Sequence, residues 1–293
     1  MTQYIVRRLI HSVFIVWGCA TLVFFMIRLI PGDPVLQMLG PEYTPEAAEA
    51  LRHKLGLDQP IYVQYVKWLA AAVQGDLGNS LYDGQPVLQA LGEALPRSLS
   101  LAFVGWAFGV AIALPVGIVS ALKRNTPADY LATVLGFLGI SMPSFWLGIV
   151  LMLVFAVSLQ WLPTIGYQPI SEGVWGWLQR LILPGLAIGA GYGAIISRQM
   201  RGSMIEVLKQ PYIRTARAKG LSNEVIIAKH ALQNALIPVV TVAGIQLALL
   251  LGAAVVIETV FSIRGVGRVL VSAIFNKDYP LVQGAVLLIS LIF

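Results

Sequence analysis

Residues 235–257 read ALIPVVTVAGIQLALLLGAAVVI, a run without one Asp, Glu, Lys or Arg. A helix rises about 1.5 Å per residue, so crossing a hydrocarbon core of roughly 30 Å takes about 20 mostly apolar residues. Four other runs qualify: residues 9–30, 98–122, 130–159 and 181–197. A sixth, 281–293, covers only about 20 Å of helix, so the natural chain is expected to continue past Phe293. These runs predict an all-α membrane protein with six transmembrane helices, the last one incomplete here.

Composition points the same way. Of 293 residues, 57% are hydrophobic and 12% charged, against roughly 45–50% and 25% in soluble domains. A net charge of +6 and a pI near 9.5 would suit nucleic acid only if the basic residues formed a face on a soluble fold. The apolar runs remove that partner and make membrane lipid the surroundings. Cys19, the single cysteine, lies inside the first run, which excludes a disulfide or a cysteine-ligated metal within one chain. The basic, then apolar, N-terminus is like a signal peptide, but the apolar stretch runs on to residue 30 without a small-residue cleavage site, so it reads as a retained anchor.

Orientation follows from Lys and Arg in the short connections. With the N-terminus inside, the inner ones hold Arg7, Arg8, Lys123, Arg124, Arg198, Arg201, Lys209, Arg214, Arg217, Lys219 and Lys229. The outer ones hold only Arg180, Arg264, Arg268 and Lys277. A cytoplasmic N-terminus is therefore expected, in a multi-pass membrane protein. The expected parts are an N-terminal spanning helix, 1–30; an extracytoplasmic segment, 31–97; and a transmembrane domain, 98–293, interrupted by a cytoplasmic loop, 198–234.

The segment 31–97 differs in character, with eight acidic residues. Thr44 and Pro45 mark a helix start, Glu46 and Glu49 suit its positive end, and Gly56 is a stop. A second helix, 60–74, places Ile61, Tyr65, Trp68, Leu69 and Ala72 on one face, suited to the membrane surface or to the spanning helices. Trp161, Tyr167, Trp175 and Trp177 crowd the loop after the third run, where amphipathic rings favour the headgroup level.

Between their ends the runs hold no Asp, Glu, Lys or Arg; His11, Arg28, Asp129 and Glu258 fall near boundaries. Proton relays and sodium-coupling carboxylates need ionisable groups at depth, which disfavours ion-driven transport. No G-x-x-x-x-G-K-[ST] loop is present to hold nucleotide phosphates, so ATP hydrolysis is not expected in this chain. Nor are H-E-x-x-H or G-x-S-x-G present. In Gly139-Ile140-Ser141-Met142-Pro143, proline stands where a nucleophile turn needs glycine, and a helix kink is predicted instead.

In the loop 198–234, Tyr212, Ile213, Arg214, Thr215, Ala216, Arg217, Ala218 and Lys219 read as a short basic helix. Gly220 supplies a left-handed stop, Ser222 caps a second helix reaching about Asn234, and Glu224 suits its first turn. Val225, Ile226, Ile227, Ala228 and Leu232 mix there with Lys229 and His230, a composition suited to the surface of another protein.

At these residues the chain resembles the permease subunits of binding-protein-dependent ABC importers, in the peptide, nickel and glutathione branch. That family's loop carries E-A-A, three residues and Gly. Here Thr215-Ala216-Arg217 replaces E-A-A and Gly220 supplies the glycine. The stretches YIRTARAKGL and HALQNALIPVVT are similar to the branch's own version. So, in order, are Ile30-Pro31-Gly32-Asp33-Pro34, Gly75-Asp76-Leu77-Gly78, Ser141-Met142-Pro143, the segment from Phe261 to Arg268, and Asp278-Tyr279-Pro280.

The resemblance implies a type I importer fold and a non-catalytic permease half in a bacterial or archaeal cytoplasmic (inner) membrane. Its expected partners are a homologous second permease, two cytoplasmic ATPase subunits carrying ATP and Mg, and an extracytoplasmic solute-binding protein. Tyr212, Arg214, Thr215, Ala216, Arg217, Ala218, Lys219 and Gly220 would then couple to the ATPase, and the cargo would be a di- or oligopeptide or similar small solute. No cofactor is expected in this chain. The competing reading is an ion-coupled or passive transporter or channel that works without an ATPase.

Overall fold

The computed structural model describes residues 2–29 and 32–293. Ile30 and Pro31, which open one of the quoted motifs and end the first apolar run, lie outside the described residues. The described chain is helical, with one isolated bridge between Asn79 and Pro86. It divides into two compact units, Met1–Pro96 with Gly265–Phe293, and Arg97–Arg264.

In the first unit, α1 (Thr2–Leu29) is a long apolar helix. Asp33 caps α2 (Pro34–Leu39), accepting from Val35 N at 2.9 Å, and pairs with Arg52 on α3 (Pro45–Leu55). Thr44, Pro45 and Gly56 bound α3 as the sequence predicts, Gly56 at φ 66°. The aromatic face of α4 (Ile61–Val73) lies against α1 rather than alone on a surface. Buried Phe24 meets the Tyr65 and Trp68 rings at 5.2 and 5.5 Å, and the Tyr65 hydroxyl accepts from Trp17 Nε1 at 3.0 Å.

Two shorter helices close this unit: α12 (Val266–Phe275) and α13 (Tyr279–Ile292), named after the intervening elements of the second unit. Val87, Leu91 and Ala94 pack with Val266 and Ala285. Buried Asp278 joins distant segments, accepting from Ser80 Oγ at 2.5 Å and Leu81 N at 3.1 Å while capping α13 through Leu281 N at 3.3 Å.

The second unit takes most of α5 (Val87–Leu122), then α6 (Pro127–Ser141), α7 (Ser144–Leu151), α8 (Val174–Val207), α9 (Pro211–Ala218), α10 (Asn223–Val225) and α11 (Leu232–Val260). Four described helices are long and apolar enough to cross a membrane, five if a bent pair counts as one span. That pair is the third run, and it is not one rod. α6 and the helix continuing α7, Ser144–Ser158, meet at 104°. Pro143 cannot donate, and its ring pushes Met142 to an extended ψ of 130°. The expected kink is a full break.

Two runs are also longer than hydropathy suggests. α8 has 34 residues, about 51 Å of helix, and extends the fourth run at both ends. The second loop helix does not stop near Asn234; α10, a π-helical stretch Ile226–Ala231 and α11 form one helix, Asn223–Val260. Polar side chains ended those sequence readings, but backbone hydrogen bonding does not stop where apolarity does.

Helices in lipid associate through close packing more than through a hydrophobic drive. α5 and α8 meet through facing glycines: a Cβ on Gly189 would lie 2.4 Å from the Gly105 carbonyl oxygen, and one on Gly193 would lie 2.9 Å from that of Gly109. Beside this seam Trp106 Nε1 donates to Ala243 O at 2.9 Å. Fully buried Glu258 accepts from Ser98 Oγ at 2.5 Å, so this acid near the end of α11 has a partner within the protein.

Candidate functional site

The connection between α8 and α11 is an elbow built by local rules. After α8, Gln210 is extended (ψ 149°) and Pro211 takes the first helical position of α9, where a missing N–H costs nothing. At the other end Gly220 N donates to Arg217 O at 2.9 Å and Leu221 N to Ala216 O at 3.4 Å. Gly220 has φ 76°. This pair of bonds around a left-handed glycine is a Schellman stop. Ser222 then caps the next helix, accepting from Val225 N at 3.5 Å, with Glu224 in the first turn.

The elbow has two faces. Ile213 and Ala216 turn inward, into a cluster with Met200, Met204, Ile226, Ala231 and Ala235. Ile227 and Leu232 pack against the same cluster. Tyr212, Arg214, Thr215, Arg217, Ala218, Lys219 and Gly220 are exposed. Of the eight residues singled out in the sequence, the structure therefore gathers seven on the outside and buries Ala216. Ile226, Ile227 and Leu232, read as part of a surface for another protein, serve the chain's own core. Spacing tells which residues share a face, not what covers it.

The outer face combines Tyr212, Leu221 and Val225, each about two-fifths exposed, with Arg214, Arg217, Lys219 and Lys229. It offers cations and apolar area side by side. Behind it the π-helical stretch leads without interruption into α11.

A second cluster in the same unit was not legible in the sequence. Asp129, 2% exposed, accepts from Arg201 Nε at 2.8 Å and Arg201 Nη2 at 2.7 Å. Ser120 Oγ donates to the same carboxylate and accepts from Arg201 Nε at 3.0 Å; Asn125 N also donates to Asp129, at 3.0 Å. The cluster ties the end of α5, the turn after it, the start of α6 and α8 together one helical stretch before the elbow. The only advance signal was an acid next to a predicted boundary; its partner lies 72 residues away.

Comparison with known proteins agrees with this architecture. Residues 113–293 match the family described as binding-protein-dependent transport system inner membrane component, and residues 1–102 match its N-terminal region. The chain is 41% identical over 293 residues to a putative peptide transport system permease protein of Brucella suis, covering 100% of this chain and 93% of that one. It is 39% identical over 313 residues to the dipeptide transport system permease protein DppB of Alkalihalophilus pseudofirmus, covering 100% and 94%. It is 40% identical over 293 residues to the glutathione transport system permease protein GsiC of Escherichia coli O6:H1, covering 100% and 93%. With its long apolar helices, broken third span and capped elbow, the chain belongs to the family of binding-protein-dependent transport system inner membrane components.

Proposed function

We propose that this chain forms half of the translocation path of an ATP-driven importer for di- or oligopeptides or a closely similar solute. The peptide, dipeptide and glutathione permeases it matches all name cargo built from amide-linked amino acids. A homologous second permease completes the path, a solute-binding protein delivers cargo, and two ATPase subunits carrying ATP and Mg supply the work. The N-terminus is cytoplasmic, which puts the elbow on the ATPase side.

The observation that carries the reading is the outer face of the elbow, basic and apolar at once, whose second helix runs without interruption into a helix long and apolar enough to span a membrane, Asn223–Val260. In the mechanism, closure of the ATPases presses on Tyr212, Arg214, Thr215, Arg217, Ala218, Lys219 and Gly220, with Ala216 anchoring α9 from within. The spanning helices then change packing as rigid bodies.

Reconstitution in vesicles tests this. Uptake of a labelled dipeptide should require the partner subunits, the binding protein and ATP together. ATP-independent uptake by this chain alone would replace the reading with a passive or ion-coupled carrier.

A further inference from the structure

At the end of α1 the first unit forms an open cavity of about 410 Å³, walled by α1, α3, α4 and the start of α13. Its wall carries Arg28, Lys54 and Lys67 and, among the described residues lining it, no carboxylate. His53 on the same wall meets Asp58 at 3.8 Å. Arg28 is held by neutral groups only: it donates to Phe24 O at 2.8 Å and to Gln64 Oε1 at 3.2 Å, with its guanidinium 3.5 Å from the Phe24 ring centre. Lys67 Nζ donates to Gln59 Oε1 at 2.8 Å.

Two residues of the cavity wall, Trp68 and Gln283, also carry a donor without an acceptor. Trp68 Nε1 and Gln283 Nε2 are buried and meet no hydrogen-bond partner, and Gln283 as a whole is 3% exposed. An indole N–H can only donate. Buried donors are paired in nearly all folded proteins, so two orphans on the wall of a cavity that also carries Arg28, Lys54 and Lys67 call for an acceptor. An anion with several acceptor oxygens fits that demand, with the positive charge of Arg28, two N–H groups and the lysine ammonium groups as its counterparts.

The surroundings say where such an anion comes from. Arg28 lies in the last turn of a helix long and apolar enough to span a membrane, and Leu22, Met26 and Leu29 on that helix are 60%, 57% and 80% exposed. We propose that this cavity binds the phosphate of an anionic phospholipid headgroup, with the acyl chains lying along α1.

The test uses the assembled transporter in a neutral detergent, titrated with short-chain phosphatidylglycerol, phosphatidylcholine of the same chain length, or inorganic phosphate, and followed by thermal unfolding. Phosphatidylglycerol should raise the melting temperature saturably and phosphatidylcholine much less. Trp68→Phe and Gln283→Leu, each deleting one donor, should weaken the half-saturation about tenfold. Lys67→Gln, at an exposed position, should also weaken it and keeps the test open if a buried variant fails to assemble. Equal responses to the two lipids, or an unchanged phosphatidylglycerol response in the variants, would overturn the proposal. A phosphate response as large as that to phosphatidylglycerol would reassign the site to the free anion and overturn the lipid source.

Discussion

The Arg201 guanidinium grips both oxygens of the buried Asp129 carboxylate, Nε at 2.8 Å from one and Nη2 at 2.7 Å from the other. Removing one partner strands the other, at a cost of about 3 kcal/mol. Asp129→Asn and Arg201→Gln should each lower the melting temperature of the assembled transporter. Joining Asp129→Leu with Arg201→Met should recover part of the loss, because the apolar pair leaves no charge unpaired while Ser120 Oγ and Asn125 N still lose their acceptor. Additive losses in the double variant would contradict this account. Arg201→Lys should fall well short of wild type, since an ammonium cannot reproduce the fork.

Gly220 is held at φ 76°, and a Cβ there would meet nothing within 4 Å. The penalty of a side chain is therefore backbone strain alone, about 1–2 kcal/mol for most residues and less for Asn. Gly220→Asn should keep ATP-dependent uptake near wild type. Gly220→Val should reduce uptake and ATPase co-purification together. Unchanged values for the valine variant would count against a docking role for the elbow.

The seam between α5 and α8 tolerates no added carbon. Gly189→Ala places a Cβ 2.4 Å from the Gly105 carbonyl oxygen, so main chain must move, at a cost of about 1–3 kcal/mol. Gly136, whose Cβ would meet nothing within 4 Å, is the control. Thermal unfolding should separate the two alanine variants clearly, and equal stabilities would show that the seam yields.

Asp33 gives a pH-dependent signature outside the spans. Burial opposes its charged form, but the Arg52 hydrogen bond, the Val35 N–H and the Arg52 and Lys277 charges outweigh that and lower its pKa. A folded pKa below the unfolded value, about 3.9, stabilises at neutral pH and loses that contribution as pH falls below about 4 and through the folded value. Asp33→Asn keeps the cap and removes the charge. At pH 7 amide exchange across residues 34–55 should be faster in the variant, and the gap at matched pH should close toward pH 3. A gap independent of pH would assign the effect to something other than the charge.

Much of this architecture is written locally. Apolar runs found the spans, and Thr44, Pro45, Gly56, Gly220 and Ser222 fixed helix ends because caps and left-handed stops depend on a few neighbouring residues. What stayed hidden is nonlocal. Nothing near Asp129 announces Arg201, and Gly105, Gly109, Gly189 and Gly193 do not say which pair will face. The loop composition showed an amphipathic elbow, yet Ile226 could as well have met a partner as its own core, where it lies. Pro143 announced a bend, but its 104° depends on what the two halves pack against.

The bare main-chain crossing of α5 and α8 restricts how these helices can move. Where Gly189 meets the Gly105 carbonyl there is no rotamer to exchange, and a slip by one residue would place Ile188 or Ala190 there instead. A slide of one helix along the other therefore costs a main-chain clash that a change of crossing angle about the same point does not.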